Sequence, residues 1–209
     1  MSDDAFELRI AWQQHVGTSP VALAWFDRVV ARHRAEGRHY HDLHHVCWVV
    51  RHVLDLAGHA EDPGAVVAAA CFHDVVYDVH RSDNEAVSAG LAAEALAELG
   101  WRASRVRHVA AMIAATAGHR VEGTDPDTEV LLAADLAVLA AEPTRYDDYA
   151  RAVRREYAHL DEGAWRSGRT AVLESLLHRD RLFPERLDLH AWEHRARANI
   201  TSELASLAD

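Results

Sequence analysis

Residues 63–78 read PGAVVAAACFHDVVYD, and this stretch predicts a buried helix that carries polar chemistry near its end. Asp62 and the following proline are a helix start signal, an N-cap followed by proline in the first turn. The longest apolar run of the chain, Ala65 to Phe72, comes next; it has no period-two alternation and is far too short to span a bilayer. His73 and Asp74 interrupt the apolar residues, so at least one of the two should face the interior.

The same helix signals recur along the chain and predict an all-α protein. Ser19 before a proline opens a helix, Ser82 with Glu85 has the capping-box pattern, and Gly100 ends a helix. Loops are short, and there is neither a repeat nor a low-complexity linker. We therefore predict a single domain over residues 1–209. About ten helices are expected, at 4–15, 20–36, 42–58, 63–78, 83–99, 104–117, 126–141, 144–159, 161–179 and 189–207.

Composition excludes several function classes. All 22 basic side chains are arginine, so lysine-dependent P-loop, Schiff-base and pyridoxal-phosphate chemistries are excluded. The formal net charge of −11 argues against binding to duplex nucleic acid or to an anionic membrane. Cys47 and Cys71 lie in apolar stretches, as buried free thiols of a reducing compartment do, and we expect a cytoplasmic protein.

Metal-binding residue types concentrate at three places. The first is RHYHDLHH at 38–45, where His41 and His45 are spaced i, i+4 and would share one helix face. The second is the His73-Asp74 pair, and the third is Asp135 within an apolar run. Burying a carboxylate requires a compensating partner, which an arginine or a metal ion can provide. Each signal alone is typical of a core hydrogen bond or a solvated face. Together they supply a mixed nitrogen and oxygen metal site.

The ordered set of His45, His73-Asp74 and Asp135 resembles the four metal ligands of the HD superfamily of metal-dependent phosphohydrolases. Tyr40-His41 followed by His45 is similar to the Tyr-His-Asn-x-x-His motif of class I cyclic nucleotide phosphodiesterases, with Asp42 in place of the asparagine. A bacterial subgroup of predicted HD hydrolases is closer over residues 20–205. The recurring motifs of this subgroup are present in the same order, and they begin at Arg38, Phe72, Asn84, Ala134, Arg154, Gly168 and Glu193.

The resemblance implies a reaction and roles for its residues. It implies an HD-type helical bundle whose metal-binding region covers about 38–140, completed by helices over 144–207. The expected activity is hydrolysis of a small phosphate ester or nucleotide by a metal-activated water. His41 would be the general acid, and Asp74 or Glu85 would accept the proton of the water. Glu85 has a second interpretation, as the capping-box partner of Ser82.

The resemblance also implies a cofactor and substrate contacts. One divalent ion (Mn, Co, Ni, Fe, Zn or Mg) is expected rather than two. His119, Tyr77, Arg155 and Arg169 are the predicted substrate contacts, since a chain without lysine must clamp phosphate with arginine. His119 also suits a second metal or a stabilised helix end. The alternatives are an HD-fold di-iron oxygenase and a non-catalytic metal- or ligand-binding module. The expected partner is a small phosphorylated molecule, and a homodimer is compatible with the sequence.

Overall fold

Ten α-helices dominate the computed structural model, which describes residues 3–120 and 125–208. These ranges contain no β-strand, so the all-α prediction is confirmed. None of the described helices combines the length and hydropathy of a membrane span. The helices are α1 (Asp3–His15), α2 (Pro20–His33), α3 (Leu43–Asp55), α4 (Pro63–Phe72), α5 (Asn84–Glu98), α6 (Ala103–Ala115), α7 (Pro126–Asp135), α8 (Pro143–Glu156), α9 (Glu162–Leu177) and α10 (His190–Ala208). Short 3-10 segments lie at Ala57–His59, Leu136–Ala140 and Glu185–Leu187.

The predicted helix start and stop signals act as expected at several ends. The Ser19 hydroxyl accepts a hydrogen bond from the Ala22 amide at 3.1 Å, and α2 begins at the next residue. The Asp62 carboxylate accepts one from the Ala65 amide at 3.0 Å, which caps α4. Gly100 follows α5 with a φ of 79°, a backbone conformation that glycine adopts without the steric cost of a Cβ.

The described chain divides into two compact units, Met1–Ala134 and Asp135–Asp209. In the first unit, α4 packs against α1, α3, α5 and α6. Every residue from Ala65 to Phe72 is fully buried, as expected for a helix that is apolar on all sides. The prediction of one domain over residues 1–209 stays a prediction.

In the second unit, the 3-10 segment Leu136–Ala140 packs against α8 and α10, and α10 also packs against α9. Asn199 of α10 is buried, and its Nδ2 donates to the carbonyls of Leu139 and Ala141, each at 2.9 Å. Asn199, which belongs to the motif beginning at Glu193, therefore links α10 to the end of the 3-10 segment Leu136–Ala140.

The helix predicted over 63–78 is too long, because α4 ends at Phe72 and residues 73–83 are irregular. Side chains of α5 hold this segment in place of helical hydrogen bonds. The Ser88 hydroxyl lies 3.1 Å from the Val76 amide nitrogen and 3.3 Å from its carbonyl oxygen. The Asn84 amide pairs with both backbone groups of Asp78 at 3.1 and 2.9 Å. Tertiary contacts, which local sequence does not reveal, therefore end α4 early.

Other predicted helix ends are also late. The helix predicted over 20–36 ends at His33, and the one over 42–58 ends at Asp55 before the 3-10 segment Ala57–His59. The helix over 126–141 is α-helical only to Asp135 and then tightens into 3-10 geometry. The last turn of a helix often tightens in this way, and a hydrophobic pattern does not distinguish the two forms.

Candidate metal centre

His45 is positioned by the first turn of α3. The Asp42 carboxylate caps this helix by accepting hydrogen bonds from the amides of His44 and His45, at 2.9 and 3.1 Å. Aspartate therefore takes the cap position where the resembling motif has asparagine, and both residues are good N-caps. A shared face for His41 and His45 is expected if the helix begins by Asp42, but α3 begins at Leu43 and His41 precedes it. The chain nevertheless brings the two rings to a centroid separation of 5.7 Å.

His73 lies at the C-terminal end of α4 and is almost completely buried. Its Nδ1 is 2.8 Å from the Ala70 carbonyl oxygen. A carbonyl only accepts, so Nδ1 carries the proton and, in the neutral ring, Nε2 carries the lone pair. Histidine ligands of metals are typically oriented by such a bond from the other ring nitrogen. The prediction that His73 and Asp74 both lie inside a helix is wrong, since the helix ends one residue earlier.

Three polar atoms converge where these elements meet. His45 Nε2 and His73 Nε2 are 3.1 Å apart, and Asp74 Oδ2 is 3.1 Å from the nitrogen of His73 and 3.5 Å from that of His45. Ligand atoms at about 2.1 Å from one cation are about 3.0 to 3.4 Å from each other in octahedral or tetrahedral arrangements. The triangle therefore has the dimensions of one face of a coordination sphere.

Asp135 is the last residue of α7 and is half-buried. One of its carboxylate oxygens and the ring nitrogens of His45 and His73 all lie within 4.8 Å of one another. Asp74 and Asp135 thus each form a group with the same two histidines. Two imidazole nitrogens and two carboxylates are a donor set that suits a divalent cation such as zinc, iron or manganese.

The electrostatics of the triangle favour a positive centre. Burial alone would raise the pKa of the Asp74 carboxyl, but the His73, His45 and His41 side chains hold that pKa well below its ordinary value. Asp74 is therefore ionised at neutral pH and faces His73 Nε2, which carries a lone pair in the neutral ring. A proton on one imidazole satisfies part of this arrangement, whereas a divalent cation satisfies both nitrogens and the carboxylate together.

His41 lies beside the triangle, between two tyrosines. Its ring stacks on Tyr77 with a centroid distance of 4.0 Å and an interplanar angle of 23°. Tyr40 meets the ring of His41 edge-on at 4.8 Å and lies 4.6 Å from the ring of His45. The structure therefore brings together His41, Tyr77 and the predicted ligands. An imidazole held by aromatic contacts beside the ligands is suitably placed to deliver a proton.

Two further predicted site residues are Glu85, at the start of α5, and His119, after α6. Glu85 is half-buried in the first turn of α5. Its predicted capping box is wrong, since Asp83 precedes the helix and no side chain caps it. His119 follows α6, where it adopts a left-handed φ of 48°, an uncommon conformation for a residue other than glycine. Site roles for Glu85 and His119 stay predictions.

The two predicted phosphate-clamp arginines belong to the second unit. Arg155 is exposed near the end of α8. Arg169 is buried in α9, where its Nε and Nη2 donate to both oxygens of Glu203 at 2.7 and 3.0 Å. Its Nη2 also donates to the Tyr149 hydroxyl at 3.2 Å. This pairing gives Arg169 a structural role within its unit, and substrate contact stays a prediction for both arginines.

Sequence reasoning missed a second group in the first unit, formed by His108, Asp125 and Asp127. Their ligand atoms also lie within 4.8 Å of one another. Asp127 is buried, and one of its oxygens accepts hydrogen bonds from the amides of Glu61 and Asp62 at 2.7 and 3.0 Å. Its other oxygen is 3.2 Å from His108 Nε2. These hydrogen bonds compensate the burial of the Asp127 carboxylate without a cation. The group is therefore well suited to a structural role that connects α6, α7 and the start of α4.

Comparisons with protein-family models, with curated proteins and with solved structures find no significant match to this chain. The HD resemblance therefore rests on the quoted motifs alone.

Proposed function

We propose that this protein is a metal-dependent phosphohydrolase that acts on a small phosphate ester or nucleotide. The observation that carries the proposal is the triangle of His45 Nε2, His73 Nε2 and Asp74 Oδ2, with edges of 3.1, 3.1 and 3.5 Å. Asp135 supplies the fourth proposed ligand. A divalent cation bound to such a donor set provides Lewis-acid activation of water and of a phosphoryl oxygen.

The chain's own residues have distinct proposed tasks. The lowered pKa of Asp74 keeps its carboxylate ionised, which suits a ligand better than a base. His41 is the proposed general acid, which would donate a proton to the leaving oxygen. Tyr77 keeps the His41 ring in place through their stacked contact. Glu85 is the proposed proton acceptor, a role that the resemblance of the motif beginning at Asn84 supports.

The substrate is proposed to be a small molecule in the cytoplasm. The net charge of −11 repels the phosphate backbone of a duplex, whereas a small ester needs only local positive charge. The two buried free thiols are stable in a reducing compartment.

The first experiment is elemental analysis of protein purified without added metal. It is followed by turnover of phosphomonoesters and nucleotides with Mn, Co, Ni, Mg, Zn and Fe(II). We expect one ion per chain, with both the ion and turnover lost in His73→Ala and Asp74→Asn. Matched controls are His80→Ala and Asp83→Asn, which replace exposed residues of the same irregular segment. Metal retained at the wild-type ratio in both site variants would refute the proposal.

The same data distinguish the alternatives. Two irons per chain with a visible or paramagnetic signal would identify an oxygenase in place of the phosphohydrolase. Bound metal with no turnover across the panel would favour a non-catalytic binding module.

A further inference from the structure

Arg38 joins the two irregular segments that flank the proposed metal centre. Its Nη1 donates to the Asp74 carbonyl oxygen at 2.7 Å, and its Nη2 donates to that of Val75 at 3.1 Å. Nη1 also donates to the His41 carbonyl oxygen at 2.8 Å. One planar guanidinium therefore ties the backbone of His41 to the backbone of Asp74, 33 positions along the chain.

The guanidinium is itself held by a buried neutral histidine. His33 Nε2 lies 3.2 Å from the Cys71 carbonyl oxygen, which only accepts, so Nε2 carries the ring proton. His33 Nδ1 is then the acceptor that faces Arg38 Nη1 at 3.2 Å. Burial first, and the charge of Arg38 second, lower the pKa of His33 to about 3, so the ring is neutral at physiological pH. The last residue of α2 thus orients the guanidinium through a defined tautomer.

This connection is important because neither His41 nor Asp74 is held by a regular helix. His41 precedes α3 and Asp74 follows α4, so helical hydrogen bonds do not set their separation. A lysine ammonium would act as a point charge, whereas the fork of arginine bonds several carbonyls in one plane. Arg38 also lies over the ring of Tyr77, 5.7 Å from its centroid, which connects it to the residue stacked on His41.

We propose that Arg38, oriented by His33, is a positioning residue that sets the geometry between the proton donor His41 and the ligand Asp74. The inference rests on the proposed function for the meaning of these two residues. The contacts that define the bridge do not depend on it. Its donors point at backbone carbonyls and at the His33 ring, so Arg38 acts through the two segments and not as a phosphate clamp.

The test compares Arg38→Met and Arg38→Lys with a matched arginine of the second unit. Arg197 donates to the carbonyl oxygens of Leu177, at 3.1 Å, and Arg179, at 2.8 Å, so Arg197→Met removes a similar set of bonds within the second unit. Each variant is measured by amide hydrogen exchange without added metal, and by calorimetric titration with Mn²⁺ alone. The pH dependence of phosphomonoester turnover is recorded where turnover is present.

Both Arg38 variants should retain helical circular dichroism. Amides 74–79 should exchange at least tenfold faster than in the wild type, and those of α10 should be unchanged. The dissociation constant for Mn²⁺ should rise by about 10- to 100-fold, the usual effect of removing a group that orients metal ligands. The pH dependence of phosphomonoester turnover should differ from that of the wild type. Arg197→Met should leave the affinity and the profile at wild-type values.

The outcomes separate this inference from the proposed function. Wild-type exchange at amides 74–79 together with wild-type Mn²⁺ affinity in Arg38→Met would overturn the positioning role. A wild-type protein that binds no Mn²⁺ counts against the proposed function, and the exchange rates then decide the bridge alone. If Arg38→Met does not fold, His33→Leu gives the same test, because it removes the acceptor and keeps the arginine. Unchanged exchange and affinity in that variant would overturn the proposal.

Discussion

Replacing Glu203 with leucine tests whether the second unit depends on one buried ion pair. The side chains of Arg169 and Glu203 are only 7% and 9% exposed. Glu203 accepts from Arg169 Nε and Nη2, and the Tyr146 hydroxyl donates to its Oε2 at 2.6 Å. The substitution removes three hydrogen bonds at once and leaves a buried guanidinium whose remaining described partner is Tyr149.

The expected cost follows from the stranded charge. Removing one partner of a buried pair costs about 3–5 kcal/mol, and the Tyr146 hydroxyl left without its acceptor places this variant toward the upper end. The double variant Arg169→Met, Glu203→Leu buries no charge, so most of the lost stability should return. The two single effects should therefore be strongly non-additive.

Urea unfolding followed by circular dichroism provides the measurement, with the denaturant slope compared between variants. The exposed pair of Arg195 and Glu142, at 2.8 Å in the same unit, is the control. Glu142→Leu should change stability by less than about 1 kcal/mol, since surface pairs are weak. A Glu203→Leu loss as small as that of the control would refute the reasoning, and so would a double variant that loses the sum of the single effects.

Three further predictions concern the first unit. Mn²⁺ at a hundredfold excess over its dissociation constant should raise the free energy of unfolding by about 2.7 kcal/mol, and chelation or His45→Ala should abolish that gain in thermal melts. Between pH 6.5 and 3 the unfolded state binds a proton that buried His33 does not, so stability should fall on acidification by up to about 1.4 kcal/mol per pH unit. His33→Gln should remove this part of the slope, and an unchanged slope would contradict the burial argument. Leu131→Ala, at a fully buried position of α7, should cost about 2–5 kcal/mol in urea unfolding, whereas Val172→Ala, at an exposed position, should stay within about 0.5 kcal/mol.

Much of the fold could be predicted because helix starts are encoded locally. The cap residues Ser19 and Asp62 bond to amides three residues ahead, so the signal and its effect share one short stretch. The end of α4 was not predictable in this way. Its position depends on Ser88 and Asn84, which are distant in the pattern and bond to the irregular segment after Phe72.

The candidate site was also predictable only in part. The order of His45, His73 and Asp74 pointed to a shared centre because buried carboxylates need partners. The Arg38 bridge was not predictable, since its acceptors are backbone carbonyls that every residue type carries. The arginine of the bridge is the first residue of the motif that begins at Arg38. A motif alone does not tell whether an arginine contacts a substrate or the backbone.

Because α4 is apolar on every side, its proposed metal ligand His73 is positioned only when folding of the surrounding helices is complete. A helix with no polar side is unstable on the surface of a partly folded chain, because water would contact its apolar side chains. It becomes stable only when α1, α3, α5 and α6 enclose it, and His73 reaches its place at the same moment. Cation binding at the proposed centre would thus depend on prior assembly of the helices that enclose α4.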